Sequence, residues 1–243
     1  MEWFKDLYDQ FRMDTNFGKV SNKETKADVD FICEVLELKK GDKILDLFCG
    51  FGRHSIELAK RGYLAAAIDY NFSYLEFGKK LCKGMDNIPN FIQGDVRNIN
   101  YGKDYDAAII MFNSFGYFND SEVKLILNKI FNALKPKGRF FIEILNRDWI
   151  LKNYKEKQER EFEDIKVIEK RKFDILTSRN DFIIQRFGEN GIVNKMGSWR
   201  LYSAHEIKNM LEEIGFHLVS AYSNLNKEPL KIDTRLMRMI FEK

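Results

Sequence analysis

The apolar positions change period twice along the chain. Phe4, Leu7, Tyr8 and Phe11 recur at helical spacing over residues 1–12. Val29, Ile32, Cys33 and Leu36 share one face of a second helix over about 23–38. After the turn "KKGDK", short apolar runs alternate with amphipathic ones. "ILDLF" reads as a strand, "RHSIELAKRG" as a helix stopped by Gly62, and "LAAAID" and "NFIQGD" as two further strands. "YDAAIIMF" is apolar throughout after its opening Tyr105 and Asp106, which predicts a strand buried on both faces. Val123, Leu127, Ile130 and Leu134 mark a helix ended by "KPKG", and "RFFIEIL" supplies a fifth strand. The run "SYLE" predicts a capping box that starts a helix at Ser73.

Five strand–helix repeats in succession predict a parallel, doubly wound sheet. From Ile165 to about Tyr202 the period shortens to two, with turn signals at "SRND" and "GENG". This predicts an antiparallel meander of about three strands inserted after strand five. A second capping box, "SAHE" at Ser203–Glu206, starts a helix carrying Ile207, Met210, Leu211 and Ile214 on one face. "FHLVSAY" and "RLMRMIF" then give two closing strands. The expected fold is α/β, a seven-stranded, mostly parallel, doubly wound sheet with an inserted meander. Its expected divisions are a helical cap over 1–40, a ligand-binding core over 41–150, the meander over 151–202 as floor or lid, and a helix with closing hairpin over 203–243.

Composition adds limits. A hydrophobic fraction of 44% with 14% aromatics supplies a sizeable core. The 40 basic and 37 acidic residues make a mixed surface, which gives little support to a nucleic-acid partner. Cys33, Cys49 and Cys82 fit no zinc spacing or disulfide framework, as in a reducing compartment. The first residues carry acids where a signal peptide needs positive charge, and no apolar run is long enough to span a bilayer. A cytoplasmic protein with no membrane partner and no metal is expected; oligomeric state is not legible.

The candidate chemistry begins at "DLFCGFGRH", where a strand runs into a glycine pair, Gly50 and Gly52, and then a helix. A helix N-terminus offers free N–H groups, and missing side chains allow close approach. Alone, the pair also fits plain strand–helix packing. Asp69 ends the second strand, where a carboxylate accepts from a ribose, a feature shared by nicotinamide and adenosyl cofactors. Two details favour the latter. Ser55 stands where a dinucleotide fingerprint has its third glycine, and Asp46 lies inside the first strand, where it would repel a pyrophosphate but welcome an ammonium group.

"ILDLFCGFGRHSIELAKRGY", "AAIDYNFSYLEFGKK" and "FIQGDVRNI" together resemble a class I S-adenosylmethionine-dependent methyltransferase, over about residues 40–145. The resemblance implies that Gly50 and Gly52 pass under the methionine part, with Asp46 near its ammonium group. It implies Asp69 on the ribose hydroxyls, Tyr70 beside the adenine, and Asp95 and the Val96 backbone at the adenine edge. Phe112 and Asn113 would line the methyl-donor side, and an aromatic of the first helix, Tyr8 or Phe11, would close over the cofactor. "MFNSFGYF" is similar to a narrower group of small-molecule enzymes that includes amino-sugar N-methyltransferases. That likeness implies methyl transfer to nitrogen or oxygen of a small molecule, leaving S-adenosylhomocysteine. Tyr117 and Asn113 are candidates for orienting the acceptor, and Trp199 or Tyr202 for lining its pocket. An RNA methyltransferase, suggested by the basic residues of the meander, and a non-catalytic cofactor-binding protein are the alternatives.

Overall fold

The computed structural model describes residues 2–7, 21–162, 165–188 and 191–243. Tyr8 and Phe11 lie outside the described residues. A short helix α1 (Trp3–Leu7) precedes α2 (Asn22–Val35), whose start is a capping box: Ser21 accepts from the Glu24 N–H, and Glu24 accepts from the Ser21 N–H at 2.8 Å. Such a cap contributes about 1 kcal/mol.

The main sheet follows as β1 (Lys43–Leu47), β2 (Leu64–Asp69), β3 (Asn90–Gln93), β4 (Tyr105–Ile110), β5 (Leu134–Leu145), β10 (His217–Tyr222) and β11 (Leu236–Glu242). Its order is β10-β11-β5-β4-β1-β2-β3; the last five are parallel, while β11 runs antiparallel to both β5 and β10. The connecting helices are α3 (Arg53–Lys60), α4 (Phe72–Leu81), α5 (Asp120–Ala133) and α7 (Ala204–Glu212). This is the expected seven-stranded α/β sheet.

Side-chain alternation splits the core in two. Leu45 and Leu47 of β1, with Ala108, Ile110, Phe140 and Ile142, pack beneath α5 and α7. Ile44, with Ala107, Ile109 and Phe141, packs against Val29, Ile32 and Val35 of α2. Asp46 shares the parity of Ile44, so its carboxylate is sent to the α2–α3 face rather than to solvent.

A second sheet, ordered β6-β7-β8-β9, is wholly antiparallel: β6 (Lys157–Phe162), β7 (Ile165–Asp174), β8 (Arg179–Gly188) and β9 (Gly191–Arg200). It enters after β5 through α6 (Arg147–Lys152). The meander thus has four strands rather than about three. The sequence "KQEREF" of β6 carries no apolar alternation, and its pairing with β7 is what makes it a strand.

Two local expectations are corrected. The helix expected to start at Ser73 is instead capped by Asn71, whose side chain accepts from the Tyr74 N–H at 3.2 Å. "KPKG" does not separate helix from strand. The helix ends at Ala133 and β5 begins at Leu134; a register shift against β4 then places Lys137 in the left-handed region, φ 63°, as a bulge within the strand.

Candidate functional site

In an open parallel sheet, ligands collect beyond the strand C-termini where the chain direction of winding reverses. Here that point lies between β1 and β4, which are neighbours. Both strands end in strained backbone: Phe48 has φ 60°, Phe112 φ 59° and Asn113 φ 59°. Non-glycine residues in the left-handed region cost about 1–2 kcal/mol each and persist where the surroundings enforce them.

Two cavities meet at this edge. The narrower, about 40 Å³, lies over the ends of β1 to β3; Gly50, Asp69, Tyr70, Asp95 and Val96 line it. The larger, about 640 Å³, lies between the parallel sheet and the meander; Asp46, His54, Phe112, Asn113 and Trp199 line it. Phe48, Ser114 and Tyr117 belong to both walls.

The acids at the strand ends, Asp69 and Asp95 in the narrow cleft and Asp46 in the larger cavity, differ in environment. Asp69 accepts from the Gly50 N–H at 2.8 Å and from the Asn71 N–H at 2.9 Å, so it ties the loop after β1 to the start of α4. Burial nevertheless pushes its pKa up to about 6, against those two bonds. Asp46 is buried with no ion-pair partner among the described residues. Burial pushes it up to about 7, partly offset by the Ser55 hydroxyl, which donates to it at 2.5 Å. Ser55 is thus the neighbour that holds this carboxylate, a role the missing third glycine alone did not disclose. Asp95, by contrast, is ion-paired: Arg97 donates to it through its guanidinium and backbone N–H, which holds the carboxyl below its usual range. Arg97 also binds Glu122 at 2.6 Å and reaches Glu2 beside α1.

The two glycines separate. Gly50 lines the narrow cleft. Gly52, at φ 78°, lines neither cavity; a Cβ there would meet the Phe91 ring at 2.6 Å, so this glycine serves strand–helix packing.

The aromatics close the cleft. Phe4 stacks on Tyr117 with centroids 5.6 Å apart and meets Tyr70 edge-on at 5.7 Å, and the Tyr70 hydroxyl donates to the Phe4 carbonyl. Its neighbour Trp3 packs on Tyr117, Phe182 and Trp199, over Gly197, where any side chain would collide with it. Phe112 is half exposed, stacked on His54 with the Arg53 guanidinium 4.8 Å from its centre. Asn113 is buried and its amide oxygen accepts from the Leu145 N–H at 3.1 Å, which joins the ends of β4 and β5.

His54, buried, points Nε2 at Asp28; burial lowers its pKa to about 4, so the ring is neutral at physiological pH. Of the two pocket candidates on the meander, Trp199 lines the larger cavity. Tyr202 does not: its ring is in the core and its hydroxyl donates to Asp120 at 2.9 Å, because β9 has ended and the chain has turned inward toward α7. The basic residues of the meander also divide by parity. Lys166, Lys170 and Lys172 face away from the cavity, Arg200 pairs with Asp120 and Glu206, and of these five residues Arg171 alone lines it. Gln158, Arg160 and Arg235 line it too, and none of them carried a sequence signal.

Residues 44–138 match the family described as a methyltransferase domain. The chain is 29% identical over 134 residues to a glycine/sarcosine N-methyltransferase from Halorhodospira halochloris, covering 54% of this chain and 50% of that one. It spans half or less of the length of the curated relatives it matches. In fold it is similar to a S-adenosylmethionine-dependent methyltransferase from Clostridium acetobutylicum, with a TM-score of 0.81 at 16% identity over 98% of each chain. It is also similar to SAM-bound CalS10, an amino pentose methyltransferase from Micromonospora echinaspora, with a TM-score of 0.68 at 15% identity over 97% of each chain. The residues present fit S-adenosylmethionine: buried Asp46, with no ion-pair partner among the described residues, and the acids at the end of β2 and after β3 suit a ligand that brings positive charge and hydroxyl donors.

Proposed function

We propose that the chain transfers a methyl group from S-adenosylmethionine to nitrogen or oxygen of a small-molecule acceptor. The observation that carries this reading is the shared wall. A cleft lined by Asp69 and Asp95 opens, across Phe48, Ser114 and Tyr117, onto a separate chamber large enough for a small organic molecule. When bound, S-adenosylmethionine supplies a methyl group already activated by a sulfonium centre. The protein's contribution is then mainly alignment, which in favourable cases is worth about 7–11 kcal/mol.

In this reading Asp69 holds the ribose hydroxyls, Tyr70 and Val96 flank the adenine, and Gly50 and Asp46 face the methionine end. Asp95 contributes its remaining lone pairs while Arg97 fixes its orientation. Tyr117 and Trp199 border the acceptor. Asn113, with its carbonyl already committed to Leu145, acts through its amide N–H₂ or by holding the loop. Relatives and fold neighbours named for glycine, sarcosine and an amino pentose support a small acceptor.

The test is transfer of labelled methyl from S-adenosylmethionine to a small-metabolite pool, with calorimetry on S-adenosylhomocysteine beside it. Label in small molecules with cofactor binding is the expected result. Cofactor binding without any transfer points to the non-catalytic alternative, and tight NAD binding without a response to S-adenosylhomocysteine overturns the reading.

A further inference from the structure

Resting on the reading that the larger chamber takes the acceptor, its wall carries information about what that acceptor is. The inner face of the meander and the start of β11 bring three guanidinium groups to it, Arg160, Arg171 and Arg235. Arg171 is held by Glu169 at 2.7 Å and reaches Gln158. Arg160 donates to the amide oxygen of Gln158 at 3.0 Å, and Arg235 lies 5.9 Å from the centre of the Trp149 ring. Among the described residues neither Arg160 nor Arg235 meets a carboxylate.

This is unusual for the molecule. Most other described arginines are tied to acids, among them Arg53 to Asp28, Arg61 to Asp30 and Glu57, and Arg97 to Asp95 and Glu122; Arg179, held by Ser198 and by the Tyr117 and Phe118 carbonyls, is an exception. Two uncommitted guanidiniums on the wall of one concave chamber form a donor-rich fork suited to an oxyanion. Among the described residues the acids lining the chamber are engaged or sequestered: Glu169 by Arg171, and Asp46 by Ser55 on the opposite side.

We propose that the methyl acceptor is a small organic anion, carrying a carboxylate or phosphate that Arg160 and Arg235 bind, with Arg171 held by Glu169 as the third donor. The anion anchors one end of the acceptor at the meander, and the nucleophilic nitrogen or oxygen at its other end is left toward Tyr117 and the shared wall.

Trp149 and Trp199 line the chamber, so tryptophan fluorescence reports occupancy. The full chain, with S-adenosylhomocysteine present, is titrated at constant ionic strength with succinate, with inorganic phosphate and with neutral succinamide. Saturable change with one or both anions and none with succinamide is expected, and which anion saturates at lower concentration separates carboxylate from phosphate recognition. The double variant Arg160→Gln/Arg235→Gln should weaken that binding about 10- to 100-fold, as for lost charge-assisted hydrogen bonds. Lys172→Gln, on the opposite face, should leave it unchanged. Equal response to succinamide, no saturable response to either anion, or equal affinity in the double variant overturns the proposal.

A second arm separates this inference from the reading beneath it. Methyl-labelled products of the metabolite pool are passed over an anion exchanger. Label retained on the exchanger supports an anionic acceptor. Label wholly in flow-through products that carry neither a carboxylate nor a phosphate overturns the anion while leaving the methyltransferase reading intact. If no label is transferred at all while S-adenosylhomocysteine binds, the reading itself fails, and the fluorescence titration still decides whether the chamber binds an anion.

Discussion

The two walls of the site are built on opposite electrostatic plans. On the parallel-sheet side three carboxylates line the site, and two of them, Asp46 and Asp69, are buried with only hydroxyl or backbone N–H groups as partners. On the meander side they are the guanidiniums of Arg160, Arg171 and Arg235, two of the three without acids. Strand ends in a doubly wound sheet are confined by crossovers and helices, so a carboxylate placed there is desolvated whatever it binds. A wide antiparallel sheet offers one open face whose long side chains reach into solvent. The first wall therefore stores unfavourable charge for a ligand to neutralise, while the second advertises charge to a ligand still in water.

The sharpest way to break this contrast is Asp46→Asn. A rise of the Asp46 pKa from 3.8 to about 7 corresponds to roughly 4 kcal/mol. Because the folded pKa is the higher one, the protonated carboxyl favours the fold below about pH 4, and that contribution is lost as pH climbs through 7. Asp46→Asn should therefore stabilise the free protein to urea at pH 8 by up to that amount, yet weaken S-adenosylmethionine binding. Unchanged stability at pH 8 would mean the carboxylate is not unpaired. The same linkage predicts that cofactor affinity in the parent protein rises by up to about tenfold per pH unit between pH 6 and 7, as the proton that binding must displace is lost beforehand. Calorimetry in two buffers of different ionisation heat measures that proton.

Next in size is Asp69→Ala, which should weaken S-adenosylhomocysteine binding about 10- to 100-fold by removing a charged acceptor, whereas Tyr117→Phe leaves it nearly unchanged. Comparable loss in both would dissolve the division between cleft and chamber. Gly52→Ala should cost about 1–3 kcal/mol of stability through overpacking against Phe91, with cofactor affinity per folded molecule preserved. A selective loss of affinity would return Gly52 to the ligand. The smallest effect is expected for Tyr202→Phe, about 1 kcal/mol of stability from the lost bond to Asp120. Anion titrations of the chamber should not register it.

Much of the first wall could be read from the chain because its acids occupy fixed places in a repeating pattern. Asp69 closes the apolar run "LAAAID" and Asp95 lies two residues beyond β3, so the alternation that locates the strands also locates them. The second wall was opaque for the opposite reason. "KQEREF" is polar at every position before Phe162, and only pairing with β7 decides that Gln158 and Arg160 face the chamber while Glu159 does not. Arg235 precedes a strand that begins far from the meander in sequence. Tyr202 shows the same limit at close range: three residues from Trp199, it was a reasonable pocket candidate until the end of β9 turned it into the core.

The first helix gives these walls a temporal relation. Trp3 rests on the meander and Phe4 fills the cleft over Tyr70, and the two are consecutive residues of one rigid turn. The cleft as it stands is narrow, about 40 Å³, so a nucleoside bound there would have to shift Phe4, and with it Trp3 at the edge of the acceptor's wall. Turnover should accordingly follow a compulsory order, nucleoside first and acceptor second, with S-adenosylhomocysteine competing against the former and not against the latter.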